Sequence, residues 1–163
     1  MSQLAVLSAG PARFAVRRAG VGDVPAIVAL LAEDELGAAR EAGADPELAP
    51  YRAAFAAIDA DPGQLLLVVT AEDGRAAATM QLTFIPGLAR QGALRAQIEA
   101  VRVGAGYRSR GLGEAMITWA IAEARRRGCR IVQLTSDKRR ANAHRFYQRL
   151  GFAATHEGFK LPL

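Results

Sequence analysis

The chain has 163 residues, 51% apolar and 23% charged, which suits one globular domain spanning 1–163 and excludes a disordered or low-complexity protein. Its apolar runs are too short to span a membrane, and the first ten residues lack the basic start and apolar stretch of a signal peptide, so 1–10 reads as a loose tail. The single Cys129 excludes an internal disulfide and suits a cytoplasmic protein.

The elements follow in order. Arg13-Phe-Ala-Val-Arg-Arg18 reads as a first strand. Asp23 is a good helix cap, Pro25 fits the first turn, and Ile27, Leu30 and Leu31 form a helical stripe that Gly37 can end. A polar stretch from Glu41 to Pro50 leads to a second helix over Tyr51–Ala60, and Asp61-Pro-Gly63 stops it. Leu65–Thr70 is a buried-type strand, Glu72-Asp-Gly-Arg75 a hairpin turn, and Ala77–Ile85 the return strand. After Pro86-Gly87 comes the strand Gln97–Val103, then a glycine turn and an amphipathic helix ending near Arg127-Gly128. Arg130–Thr135 is another strand, and Ser136 or Asp137 can cap a helix that runs to Leu150. Phe152–Thr155 and Phe159–Leu161 form a final hairpin in this reading. The order β-α-α-β-β-β-α-β-α-β-β implies an α/β (α+β) fold, with helices on both faces of a mixed, mostly antiparallel sheet.

The net charge of +5 is unevenly spread: residues 1–94 hold 7 Lys/Arg against 11 Asp/Glu, residues 95–150 hold 13 against 4. The basic half also contains Arg108-Ser-Arg-Gly111-Leu-Gly113, between strand and helix. Glycines at such a junction let backbone N–H groups close on a phosphate at the positive end of the helix dipole, and flanking arginines add forked donors. A phosphorylated ligand is therefore expected. The spacing fits neither G-x-G-x-x-G nor a Walker loop, since Leu112-Gly113 stands where the latter needs Lys-[ST]. Nucleic acid would also suit the charge but ranks lower, because no helix-turn-helix, zinc-finger spacing or aromatic stacking platform is evident.

The R-x-x-G-x-G turn, together with Phe146-Tyr147-Gln-Arg-Leu150-Gly151-Phe152 one strand and one helix later, resembles the GNAT superfamily of acetyl-CoA-dependent N-acetyltransferases. The two motifs cover roughly the C-terminal third of the chain. The resemblance implies acetyl-CoA as acyl donor and a primary amine as acceptor, which attacks the thioester directly. It implies that Arg108, Ser109, Arg110, Gly111, Leu112, Gly113 and Glu114 hold the pyrophosphate. It implies that main-chain groups at Val101 and Val103 pair with the pantetheine arm, beside a bulge. Glu99 is the expected base; it shares strand parity with both valines unless the bulge intervenes. Tyr147 is the expected acid for the leaving thiolate. Arg140 replaces the family's usual Asn seven residues before that tyrosine and is assigned to cofactor phosphate or amide groups; Lys138 and Arg139 are either 3′-phosphate contacts or a solvated face.

Cys129 reads as a core filler, and His144 and His156 lack metal-ligand spacing, so no metal is expected. The acidic residues Glu33, Asp34, Glu35, Glu41, Asp45 and Glu47 lie on the side the resemblance assigns to the acceptor, where they favour a cationic amine or are simply a solvated helix end. Gln81 and Thr83 are placed to line that side. A small-molecule amine is the expected partner, a protein amine or a homodimer is left open, and no membrane is expected. The alternative from another class is a non-catalytic, basic nucleic-acid-binding or regulatory domain on the same fold.

Overall fold

The computed structural model describes residues 3–33, 37–38 and 47–162. Among these, six strands form one sheet in sequence order, from β1 to β6. They are β1 (Gln3–Ala9), β2 (Ala12–Arg18), β3 (Gln64–Thr70), β4 (Ala76–Ile85), β5 (Arg95–Val103) and β6 (Ile131–Leu134). The helices are α1 (Val24–Ala32), α2 (Ala49–Ala60), α3 (Leu112–Arg126) and α4 (Ala141–Arg149). All neighbouring strands are antiparallel except β5 and β6, which α3 connects in parallel.

Both faces of β3 are covered, which is why its apolar run does not alternate. Leu65, Leu67 and Val69 join the core beneath α3, with Met80 and Leu82 of β4 and Ile98 of β5. Leu66 belongs to the second core, with Val24, Ile27 and Val28 of α1 and Phe55 of α2. Leu112, Met116, Ile117, Ala120 and Ala124 seat α3 on the sheet. Each large side chain fully buried there contributes about 1.5–3 kcal/mol, several times the helix-propensity differences between residues. Packing therefore sets where the first turn of α3 stands.

Four expectations are corrected. Residues 3–9 are not a loose tail but the edge strand β1, joined to β2 by a two-residue turn at Gly10-Pro11. Its signal was faint because Leu4 and Val6 remain exposed and only Leu7 and Ala9 are buried. At the other end, no strand forms over residues 152–162. Phe159 and Leu161 are 92% and 84% exposed, and the segment meets the body beside Thr135 at Gly158 and through a Lys138–Glu157 ion pair at 3.6 Å. Leaving aside short helical turns such as Ala89–Gly92, the observed order of the described residues is thus β-β-α-α-β-β-β-α-β-α. Gly37 does not end α1, which stops at Ala32; Gly37 is itself helical. Asp137 does not cap α4. Its carboxylate accepts the Arg139 N–H at 3.0 Å in the preceding turn, and Arg140 holds the cap position.

Candidate functional site

The ladder between β5 and β6 runs from Arg95–Ile131 to Ile98–Leu134 and stops there. From Glu99 to Val103, β5 pairs with β4 alone, and the edge facing β6 has no strand partner. The register with β4 also breaks here: Gln81 faces Glu99, whereas Thr79 faces Arg102. One extra residue is accommodated at Ala100, whose φ of +52° lies in the left-handed region. A left-handed alanine costs energy that surrounding structure must hold in place, and such strain gathers at functional sites.

The bulge settles the parity of the strand. Ile98 faces the α3 core before it, and Val101 and Val103 face that core after it. Glu99 therefore projects from the opposite face to both valines, together with Arg102. The bulge intervenes, so the face that Glu99 would otherwise share with Val101 and Val103 is not shared.

The glycine turn follows. Tyr107 packs edge-on against Phe14, ring centroids 5.8 Å apart. Gly104 donates its N–H to the Ala77 carbonyl at 2.8 Å, and a Cβ there would lie 3.3 Å from that oxygen and 3.2 Å from Leu30. Gly104 is thus the close-approach glycine. Gly111, at φ +88°, brings the chain into α3 from the left-handed region, as glycine readily allows. No side chain caps α3, and the N–H groups of Leu112, Gly113 and Glu114 have no acceptor within the helix. An uncapped helix end of this kind suits an anion. Ser109 is also left-handed (φ +59°), and Ser109 and Arg110 are exposed.

Arg108 is placed differently from the expectation. Its Nε donates to the Val103 carbonyl at 2.8 Å and its NH2 group to the Glu33 carboxylate at 3.0 Å. Glu33 also accepts the Ala105 N–H at 2.7 Å. Arg108 and Glu33 together brace the loop against the end of α1. In the proposed acidic mouth, Glu33 is engaged in this way, while Asp34, Glu35, Glu41 and Asp45 lie outside the described residues.

Tyr147 lies on the α3 side of the sheet, half-buried, with Phe146 and Phe152 edge-on to its ring at 5.1 and 5.9 Å between centroids. Burial pushes its hydroxyl above the ordinary tyrosine value, and the charges of Arg140 and Arg102 pull partly the other way. Both charges bear on the Tyr147 hydroxyl electrostatically. Sequence reasoning missed Arg102; its signal was a cation between Val101 and Val103, whose face only the bulge makes legible. Among the described residues, no hydrogen bond holds the Tyr147 hydroxyl, which leaves it able to donate to a ligand.

Arg139 is paired with Asp137 and Lys138 with Glu157. The His144 ring sits 2.9 Å from the Asp137 carbonyl. Cys129 packs at the core margin, where burial raises its thiol pKa and disfavours the thiolate. A groove of about 450 Å³ bordered by Arg17, Asp23, Leu30, Glu33 and Arg75 lies apart from Glu99 and Tyr147. Its Arg17 and Asp23 already bind each other, so the chemistry-bearing groups lie at the β5–β6 gap instead.

Residues 27–152 match the family described as "Acetyltransferase (GNAT) family". The crystal structure of a transcriptional regulator from Bacillus halodurans C-125 is similar, with a TM-score of 0.87 and 40% identity over 92% of this chain and 99% of that one. An acetyltransferase from Trypanosoma brucei gives a TM-score of 0.75 and 27% identity over 92% and 99%. The aminoalkylphosphonate N-acetyltransferase of Salmonella typhimurium is 36% identical over 56 residues, which is 34% of this chain and 36% of that protein. The matched segment spans between a quarter and about a third of the length of such curated relatives.

Proposed function

The chain belongs to the GNAT acetyltransferase family, and from that premise we propose that it transfers acetyl from acetyl-CoA to a primary amine by direct attack. The observation that carries this reading is the unpaired, bulged edge of β5 between Glu99 on one face and Tyr147 on the other, with the uncapped helix end beside it.

When bound, acetyl-CoA supplies an acetyl group activated as a thioester. The N–H groups of Leu112, Gly113 and Glu114 would hold its pyrophosphate, helped by Arg110. The backbone at Val101 and Val103 would offer the arm a strand edge, and the irregular backbone of the bulge would supply main-chain donors for the carbonyl. Glu99 takes a proton from the ammonium of the acceptor on its own face. Tyr147, protonated at neutral pH, would give a proton to the departing sulfur, and the positive charges of Arg140 and Arg102 would favour the resulting phenolate electrostatically. Because base and acid serve opposite faces of the sheet, neither has to perform both transfers. Arg108 is held at the turn by Glu33 and would add its charge to the pyrophosphate only when that pair opens, and Arg140 would act through its charge on Tyr147.

The direct test measures thiol release with a panel of amines, together with calorimetric binding of acetyl-CoA. A second reading, a regulatory domain that binds nucleic acid, draws on the likeness to the Bacillus halodurans transcriptional regulator and on the basic half of the chain. Tight acetyl-CoA binding, amine-dependent thiol release and DNA binding erased by salt support the enzyme. DNA binding without acetyl-CoA binding supports the other reading.

A further inference from the structure

One cross-strand row on the Glu99 face is polar across four strands. Gln64 of β3 faces Thr83 of β4, Thr83 faces Gln97 of β5, and Gln97 faces Gln133 of β6. In the next row, Gln81 faces Glu99. This is the face that α1 and α2 cover elsewhere with Val28, Ile27 and Phe55, yet all five of these uncharged polar residues are half-buried. They are joined in two sets. The Gln64 oxygen accepts from Thr83 at 2.8 Å and from Gln81 at 2.9 Å. The Gln97 oxygen accepts from Gln133 at 2.7 Å.

Each amide that spends one end on a neighbour keeps the other. Gln64 and Gln97 retain NH₂ donors, and Gln81 and Gln133 retain carbonyl acceptors. The row carries no charge. On this face of β5 the charges are Arg95, one row out, Glu99, and Arg102 beyond the bulge. A half-buried neutral amide surface rewards hydroxyl or amide groups. It disfavours a bare methyl, which leaves its polar groups unpaired, and an extra charge, which it does not neutralise.

Resting on the reading of Glu99 as the acceptor-side base, we infer that the Gln64–Thr83–Gln97–Gln133 row is an acceptor subsite. It selects amines whose carbon frame carries neutral hydrogen-bonding groups, as in amino alcohols and amino sugars. The amine nitrogen sits at Glu99, and the hydroxyls reach along the row toward Gln97 and Gln133. This differs from the cationic acceptor expected from the acidic residues near α1, of which Glu33 is engaged by Arg108.

The test uses amines of nearly equal length that differ at the far end: 3-amino-1-propanol, n-butylamine, 1,3-diaminopropane and β-alanine, with glucosamine as the polyhydroxylated probe. Thiol release gives kcat/KM for each. The two hydroxylated amines should exceed n-butylamine and 1,3-diaminopropane by about tenfold or more. Gln97→Leu should erase that preference. Gln97→Glu, which keeps the oxygen that accepts from Gln133 and so preserves the local bond, should move it toward 1,3-diaminopropane. Equal rates for hydroxyl and methyl ends, a preference for a charged end, or a hydroxyl preference unchanged in both folded variants overturns the subsite alone. If no amine releases thiol while acetyl-CoA still raises the melting temperature, the transfer reading falls and the subsite falls with it.

Discussion

Arg108 and Glu33, 75 residues apart, hold each other at 3.0 Å across the junction of the glycine turn and α1. Both side chains are partly exposed, so the pair contributes little to stability, about 0–1 kcal/mol. Its consequence is positional: an arginine that could reach a phosphate is held by a carboxylate. Glu33→Gln keeps an oxygen for the Ala105 N–H but removes the charge. Acetyl-CoA should then bind about two- to fivefold more tightly, with little change in melting temperature. Calorimetry checks this; weaker binding would show that Glu33 orders the loop more than it restrains Arg108.

Gly113 lies where a Cβ would sit 3.6 Å from Phe146 and 3.8 Å from Val103, ordinary contact distances. Gly113→Ala should therefore fold, and alanine favours the helix. Gly113→Val should crowd the approach to the helix end. The rise in melting temperature caused by acetyl-CoA should shrink in the first variant and vanish in the second. Undiminished stabilisation of Gly113→Val would place the pyrophosphate elsewhere.

Tyr147→Phe keeps the edge-on ring contacts and removes the proton. The rate of the chemical step should fall by about 10²-fold or more while acetyl-CoA binding persists. Because burial raises the hydroxyl pKa from its ordinary value of 10.0, the protonated acid persists through neutral and mildly alkaline pH. The wild-type rate should show no alkaline decline from Tyr147 below that ordinary value. Single-turnover measurements across pH read both effects.

Glu99→Gln removes the proposed base and leaves the bulge register with Gln81 in place. Turnover should drop by about 10²-fold, and the acidic limb of kcat/KM against pH should shift or disappear. Normal turnover with an unchanged acidic limb would exclude Glu99 as the base.

Asp23 binds Arg17 in two bonds of 2.7 and 2.8 Å and accepts the Gly20 N–H at 2.7 Å. These bonds, the one from Arg17 foremost, hold its carboxyl below the ordinary value of 3.8. The folded state thus prefers the ionised form. The added stability is full above the ordinary value and is lost as pH falls through the lower folded value. Asp23→Asn should cost about 1–3 kcal/mol at neutral pH, and the difference from wild type should narrow in strong acid. Thermal melts from neutral to acidic pH test the sign.

Local patterns were the legible part of this chain. Gly111 and Gly113 at a strand–helix junction, and Phe146-Tyr147 ahead of Leu150-Gly151-Phe152, mark their own places because turn and helix-end chemistry depends on adjacent residues. Long-range facts were not legible. The resemblance implies a bulge beside Val101 and Val103, but alanine gives no warning of a left-handed conformation, so its place at Ala100 stayed hidden, and with it the faces of Glu99 and Arg102. The Arg108–Glu33 brace joins elements that only folding brings together. β1 was overlooked because one of its faces remains open. The C-terminal segment alternates like a strand, but alternation does not supply a partner ladder.

The kink at Ala100 lets one strand carry two independent inheritances. Upstream of it, Gln97 and Glu99 look out from the face opposite the α3 core; downstream, Val101 and Val103 look into that core. A substitution that retunes the amine side need not disturb the residues beneath the donor groove, and repacking the valines need not alter the amine side. Relatives descended from such a strand can exchange acceptors by drift at one or two outward positions while the thioester half stays as it was. Loss of the single extra residue would end that freedom, because every side chain beyond it would change sides at once.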